Sequence, residues 1–151
     1  MTADQDLKRL IQLLERAPFS AMLGLKIESA ADGSATVRMP FDLCILNEGG
    51  PTAPVHGGAI AALADVAACA AVWSLTATTR TATISITVNY TGFAVNSDLI
   101  ARARVKRHSK RIASVSVEVF DASDALIADA LITYKNRIAS THRLVHSTRL
   151  Q

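Results

Sequence analysis

One run of this chain limits its folds more than any other. From Ala59 to Leu75 it is built largely of Ala, is apolar almost all round, and carries one charge, Asp65. Ala is the strongest helix former, and a helix apolar on every side must be covered on every side. The run is therefore predicted to be a central helix. A membrane span is the competing reading. The apolar stretch is short and poor in Leu, and a mid-membrane Asp costs about 2.5–3.5 kcal/mol on insertion scales. The run is read instead as a helix buried within a protein. At about 1.5 Å per residue it is roughly 25 Å long, so a long, curved sheet must wrap it.

The rest of the chain supplies that sheet. Leu23, Leu25 and Ile27 alternate with Gly24, Lys26 and Glu28. After an Asp32-Gly33 turn, Ala35, Val37, Met39 and Phe41 alternate with polar residues, which reads as a hairpin. Beyond the central helix, Ile84, Ile86, Val88 and Tyr90 are assigned one face and Thr83, Ser85, Thr87 and Asn89 the other. Three more alternating runs follow, around 99–106, 114–119 and 126–135. Alternation of this kind predicts an antiparallel sheet with one covered face. In front stands an amphipathic helix at about 3–17, with Leu7, Leu10, Ile11 and Leu14 on one side, a Thr2–Gln5 capping box, and Pro18 as its stop. A basic tail covers about 138–151. With 151 residues and no linker, the chain reads as one α+β domain, 1–151. One helix covers such a sheet incompletely, and the leftover apolar edge predicts dimerisation.

Asp65 is the sharpest chemical signal. Its helical neighbours are Gly58, Ala61, Ala62, Ala68, Cys69 and Val72, so nothing in its own helix pairs with it. An unpaired buried carboxylate is costly, and the expectation is that it meets water, a ligand or a partner subunit. The other reading is a structural carboxylate that caps a loop or pairs with a distant Arg. Nine residues earlier, His56-Gly57-Gly58 leads into the helix, at the end of a Gly/Pro loop over 47–58. The first amides of a helix lack intrahelical acceptors and lie at the positive end of the dipole. Glycines let a ligand approach them, which is how amides form an oxyanion hole. His56 reads as an orienting residue rather than a proton carrier. The basic cluster Arg102, Arg104, Lys106, Arg107, His108, Lys110 and Arg111 is either a solvated strand face or a seat for phosphates.

Several classes are excluded. The two cysteines, Cys44 and Cys69, build neither a disulfide framework nor a metal site, and both read as inert. No metal-ligand cluster is seen. A net charge of +3, without a DNA-binding module, argues against nucleic-acid binding. The N-terminus lacks a basic stretch followed by an apolar run, so a cytoplasmic protein is expected, with no membrane partner.

The stretch VHGGAIAALADVA, between LNEGG and TATISITVNY, resembles the hotdog-fold thioesterases of the phenylacetate-degradation (PaaI-like) type. FSAMLGLKIESAADGSATVRMP is similar to that family's opening, and DALIADALITYK to its last strand. The resemblance implies a hotdog fold, in which a long antiparallel sheet wraps a central helix. It implies hydrolysis of an acyl-CoA, aromatic or medium to long in its acyl chain, to the free acid and CoA. Coenzyme A would enter only as part of the substrate, with no separate cofactor. It implies a homodimer, and a homotetramer as a dimer of dimers, with sites at the dimer interface. By resemblance Asp65 is the catalytic carboxylate, as base or nucleophile, and Gly57 of the other subunit polarises the thioester carbonyl with support from Gly58. His56 belongs to the same motif, Thr83 orients water, and Asn47 positions nucleophile or substrate. Arg107, Lys110 and Arg111 would take the coenzyme A phosphates. The chain departs from the family pattern where Gly50 replaces the Asn usual six residues before the His. It departs again at Ala53, at Gly92 and Phe93, and at Ser109 in the hairpin. Two other functions stay open: a hotdog enoyl-CoA hydratase or dehydratase, and a non-catalytic acyl-CoA-binding protein.

Overall fold

The computed structural model describes residues 3–75 and 80–137. Helix α1 (Ala3–Arg16) and a short α2 (Pro18–Met22) precede β1 (Lys26–Ala31) and β2 (Ser34–Met39). Two single 3-10 turns, Leu43–Ile45 and Gly50–Thr52, lead to α3 (Gly57–Trp73). Then come β3 (Arg80–Tyr90), β4 (Leu99–His108), β5 (Ile112–Asp121) and β6 (Leu126–Arg137). The predicted stop at Pro18 is found, and the same proline opens α2. A proline suits the first position of a helix because its missing N–H would have no partner there. The first strand consequently begins at Lys26 rather than at Leu23. Thr2 and the tail over 138–151 lie outside the described residues.

The six strands form one antiparallel sheet in the order β1-β2-β4-β5-β6-β3. The β1–β2 turn is a two-residue hairpin with positive φ at both Asp32 (48°) and Gly33 (76°), the backbone that matches the twist of the strands. Helix α3 carries the chain from β2 to the far edge, β3. Four strand spacings are about 19 Å, within reach of a helix of about 25 Å. The strand faces that meet α3 bury Val37, Met39, Leu99, Val115, Val117 and Ile132, and the helix buries Leu63, Ala64, Ala67, Ala68, Ala71 and Val72. The small Ala side chains let the sheet come close to the helix axis. Ser74, just past α3, accepts from the Gly33 N–H at 2.8 Å and donates to Ala71 O, fastening the helix end to the first hairpin.

The two sheet edges differ. Strand β1 is bulged between Ile27 and Ser29, and Glu15 of α1 accepts its Ile27 N–H at 2.8 Å. Among the described residues strand β3 pairs with β6 on one side only, and it exposes Ile84, Ile86 and Tyr90. Among the described residues no helix is long and apolar enough to cross a membrane.

Candidate active site

The N-terminus of α3 is held by its own cap. His56 has extended backbone, and its Nδ1 accepts the Gly58 N–H at 2.9 Å. Its carbonyl takes the N–H groups of Ala59 and Ile60. The imidazole is thereby a helix cap, the orienting role expected of it. On the other side, the Tyr90 hydroxyl donates to the Gly57 carbonyl at 2.9 Å. Side chains would be tight at both glycines, against the cap at Gly58 and against the exposed Tyr90 ring at Gly57. A Cβ on Gly58 would lie 2.9 Å from His56 Nδ1, and one on Gly57 would lie 3.1 Å from the Tyr90 ring. Of the first amides of the helix, the Gly57 N–H has no acceptor among the described residues. It is a free, half-buried donor at the positive end of α3.

Asp65 sits two turns along the same helix, half-buried. Nothing in its own helix pairs with it, but the expectation that it meets only water, a ligand or a partner subunit is corrected: two strands of the same chain reach it. Its Oδ1 accepts from the Thr83 hydroxyl at 2.9 Å and from the Tyr134 hydroxyl at 2.6 Å. Tyr134 also reaches the Asp65 carbonyl at 2.5 Å. The Oδ2 atom has no partner among the described residues and stays available to a ligand. Burial first, and the Asp65 charge second, push the Tyr134 hydroxyl above its ordinary range, so it remains a donor. The sequence places Tyr134 only on the covered face of β6. Its partner lies 69 positions away, beyond the reach of any local pattern.

Thr83 reaches Asp65 because β3 is not a regular strand. Its pairing with β6 shifts between Thr83 and Ser85, which leaves Ile84 as a bulge. Thr83 shares a register position with buried Tyr134, whereas Ile86 and Val88 share theirs with buried Ile132 and Ala130. The helix-facing side therefore reads Thr81, Thr83, then Ile86 and Val88. The strict alternation that put Thr83 with Ser85 and Ile84 with Ile86 is overturned. Bulges re-aim side chains in this way, and they recur beside functional sites. Along the same seam, Thr81 Oγ1 accepts from Trp73 Nε1 at 2.9 Å and lies 3.4 Å from Cys69 Sγ. Burial raises the Cys69 thiol to about 12, as expected of an inert residue.

Two groups of predicted residues lie apart within one chain. Gly57 and Asp65 are eight residues apart on one helix, about 12 Å along its axis. Asn47 is exposed beside the His56 end, where its N–H donates to Pro54 O and the neighbouring Leu46 pairs with Val55. It is not brought to Asp65. Arg107, Lys110 and Arg111 are exposed around the β4–β5 turn and form no ion pair among the described residues. The register runs His108–Ala113–Tyr134–Thr83 across β4, β5, β6 and β3. The turn thus shares the Asp65 end of the sheet, about 10–15 Å away by strand spacing. Arg102 leaves the basic cluster: it pairs with Asp124 at 2.8 Å and lies over Phe120. Ser109 serves the turn through its side chain, which accepts the Ile112 N–H at 3.1 Å. No three His, Cys, Asp or Glu side chains converge as metal ligands would among the described residues.

Among the described residues the geometry combines a free helix-end amide, a braced carboxylate with one open oxygen, and an unpaired strand edge. Known proteins with related sequences carry the same fold. Residues 54–128 match the model of the thioesterase superfamily. A curated relative from Halobacterium salinarum that bears an esterase name is 33% identical over 112 residues, which are 72% of this chain and 74% of the relative. The phenylacetic acid degradation protein PaaI of Thermus thermophilus is 30% identical over 78% of this chain and 97% of its own, with a TM-score of 0.68. The PaaI protein of Escherichia coli, 21% identical, superposes over 91% of this chain and 96% of its own with a TM-score of 0.78, a likeness of fold. The chain belongs to the thioesterase superfamily, and its fold is the hotdog fold.

Proposed function

We propose that this protein hydrolyses acyl-CoA thioesters at a site completed by two copies of the chain. The observation that carries this reading is the spacing on α3. An oxyanion donor and the group that activates the nucleophile must each lie about 3 Å from the reacting atoms. The Gly57 N–H and Asp65 of one chain, about 12 Å apart, cannot meet that condition. Two α3 helices related by a two-fold axis can, with Gly57 of one chain beside Asp65 of the other. The open β3 edge is the surface on which such a pair would form.

In this mechanism the thioester carbonyl accepts from the Gly57 N–H, and the helix dipole favours the negative charge that develops there. Gly58 leaves room for the substrate. Asp65 Oδ2 takes a proton from water as its oxygen bonds the acyl carbon. The carbon–sulfur bond breaks, and the proton passes to the departing thiolate. Thr83 and Tyr134 fix the rotation of the carboxylate through Oδ1, so that Oδ2 faces the water. Arg107, Lys110 and Arg111 hold the phosphates of coenzyme A. His56 spends Nδ1 as a cap, which favours the thioesterase over a hydratase that relies on a catalytic histidine.

A free-thiol assay over short, long and aromatic acyl-CoAs tests this. Release is expected from at least one, and Asp65→Asn should lower kcat by about 10²–10⁴ with the fold intact by circular dichroism. Hydration of crotonyl-CoA without thiol release, or tight acyl-CoA binding without turnover, would replace this reading.

A further inference from the structure

Tyr90 ends β3 and touches the first residue of α3. Its hydroxyl donates to the Gly57 carbonyl at 2.9 Å, while the N–H of the same peptide unit, that of Gly58, donates to His56 Nδ1 at 2.9 Å. Both polar groups of the Gly57–Gly58 peptide are therefore held by side chains. The helix does not require the first of these bonds, because a carbonyl in the first turn already has an N–H four residues on. The two glycines do explain it. Glycine has the freest backbone of any residue, so a Gly-Gly start leaves the first peptides of α3 loosely set. Gly57 joins the tied peptide to the one that carries the Gly57 N–H, so fixing the one limits the other. The Tyr90 ring also fills the space where a Gly57 side chain would be, 3.1 Å from that Cβ position. Tyr90 is 53% exposed, so core packing does not account for its placement.

We propose that Tyr90 is a positioning residue for the oxyanion-binding amide: its hydroxyl sets the first peptides of α3 and thereby the direction of the Gly57 N–H. The inference rests on the thioesterase reading. It gives β3 two duties, since Thr83 of the same strand braces Asp65.

Tyr90→Phe tests it, because the ring stays against Gly57 and only the hydroxyl is lost. The expected result is a kcat about ten- to a hundredfold lower with KM within about twofold, since the lost interaction acts in the transition state. Thermal stability should stay near that of the wild type. A second readout needs no turnover: amide hydrogen exchange at Gly58, whose N–H is bonded to His56, should quicken by about tenfold, the weight of one hydrogen bond. Unchanged kcat and unchanged exchange, in a wild type that releases thiol, would overturn the proposal. So would equal losses in stability, kcat and substrate affinity, which would assign Tyr90 to the fold alone. A wild type inactive on every acyl-CoA would remove the thioesterase reading, and the exchange measurement would still decide whether Tyr90 fixes the peptide.

Discussion

A carboxylate among alanines needs donors, and Asp65 has two hydroxyls on one oxygen. Hydrogen bonds to a charged group contribute about 1.5–3 kcal/mol each when buried. The two donors are expected to behave differently on substitution. Tyr134 is fully buried, and Tyr134→Phe should destabilise the protein by about 1.5–3 kcal/mol, read as a lower denaturant midpoint. Thr83 is exposed, and Thr83→Val should leave stability nearly unchanged while kcat falls by about tenfold, because the carboxylate loses its fixed rotation. A Thr83→Val enzyme with full kcat would mean that the hydroxyl does not orient Asp65. Part of this arrangement is legible in the sequence. Asp65 stands out because it is the only charge in its helix, and the glycines stand out because they precede it. Tyr134 looks like one more inward-facing strand residue, since nothing local distinguishes a hydroxyl that points at a partner from one that does not.

At the level of elements, helix and strand order follow from periodicity, and the Ala-rich run announces the central position of α3. The bulge at Ile84 does not announce itself. Thr81 to Asn89 alternates polar and apolar residues throughout, and a one-residue shift in pairing leaves that pattern untouched. Only the competition between pairing β6 and facing α3 sets it. The seam between α3 and β3 has a consequence for pH. Burial, with Asp65 as a smaller contribution, lifts the Cys69 thiol from 9.0 to about 12. The folded chain keeps a proton there that the unfolded chain has already lost. This contribution to stability is complete below pH 9 and disappears as pH rises from 9 towards about 12. Tyr134, raised chiefly by burial, acts in the same direction above its ordinary value of 10.0. Replacing Cys69 by Ala is therefore expected to flatten the loss of unfolding free energy across that alkaline window. Parallel curves for variant and wild type would show that the thiol is not buried in solution as it is here.

For the whole molecule, the asymmetry of the sheet matters most. One edge is bulged and bonded to α1, whereas the other is long, partly apolar and, among the described residues, unpaired. An edge left open in this way is a template for another strand, and self-pairing across a two-fold axis closes it. The same pairing would bring each Gly57 amide to the Asp65 of the other chain. This account can be tested by mixing two inactive variants. Asp65→Asn removes the carboxylate. Gly57→Pro removes the N–H at a position where helices accept proline, behind a His56 whose extended backbone tolerates it, and the exposed Tyr90 ring need shift only by a few tenths of an ångström to admit the new Cβ. If each site draws Asp65 from one chain and Gly57 from the other, a mixed dimer holds one doubly altered site and one intact site. Co-refolding the two variants in equal amounts should then restore about a quarter of wild-type thiol release. Mixed dimers confirmed by mass spectrometry that remain as inactive as either parent would contradict the two-chain site.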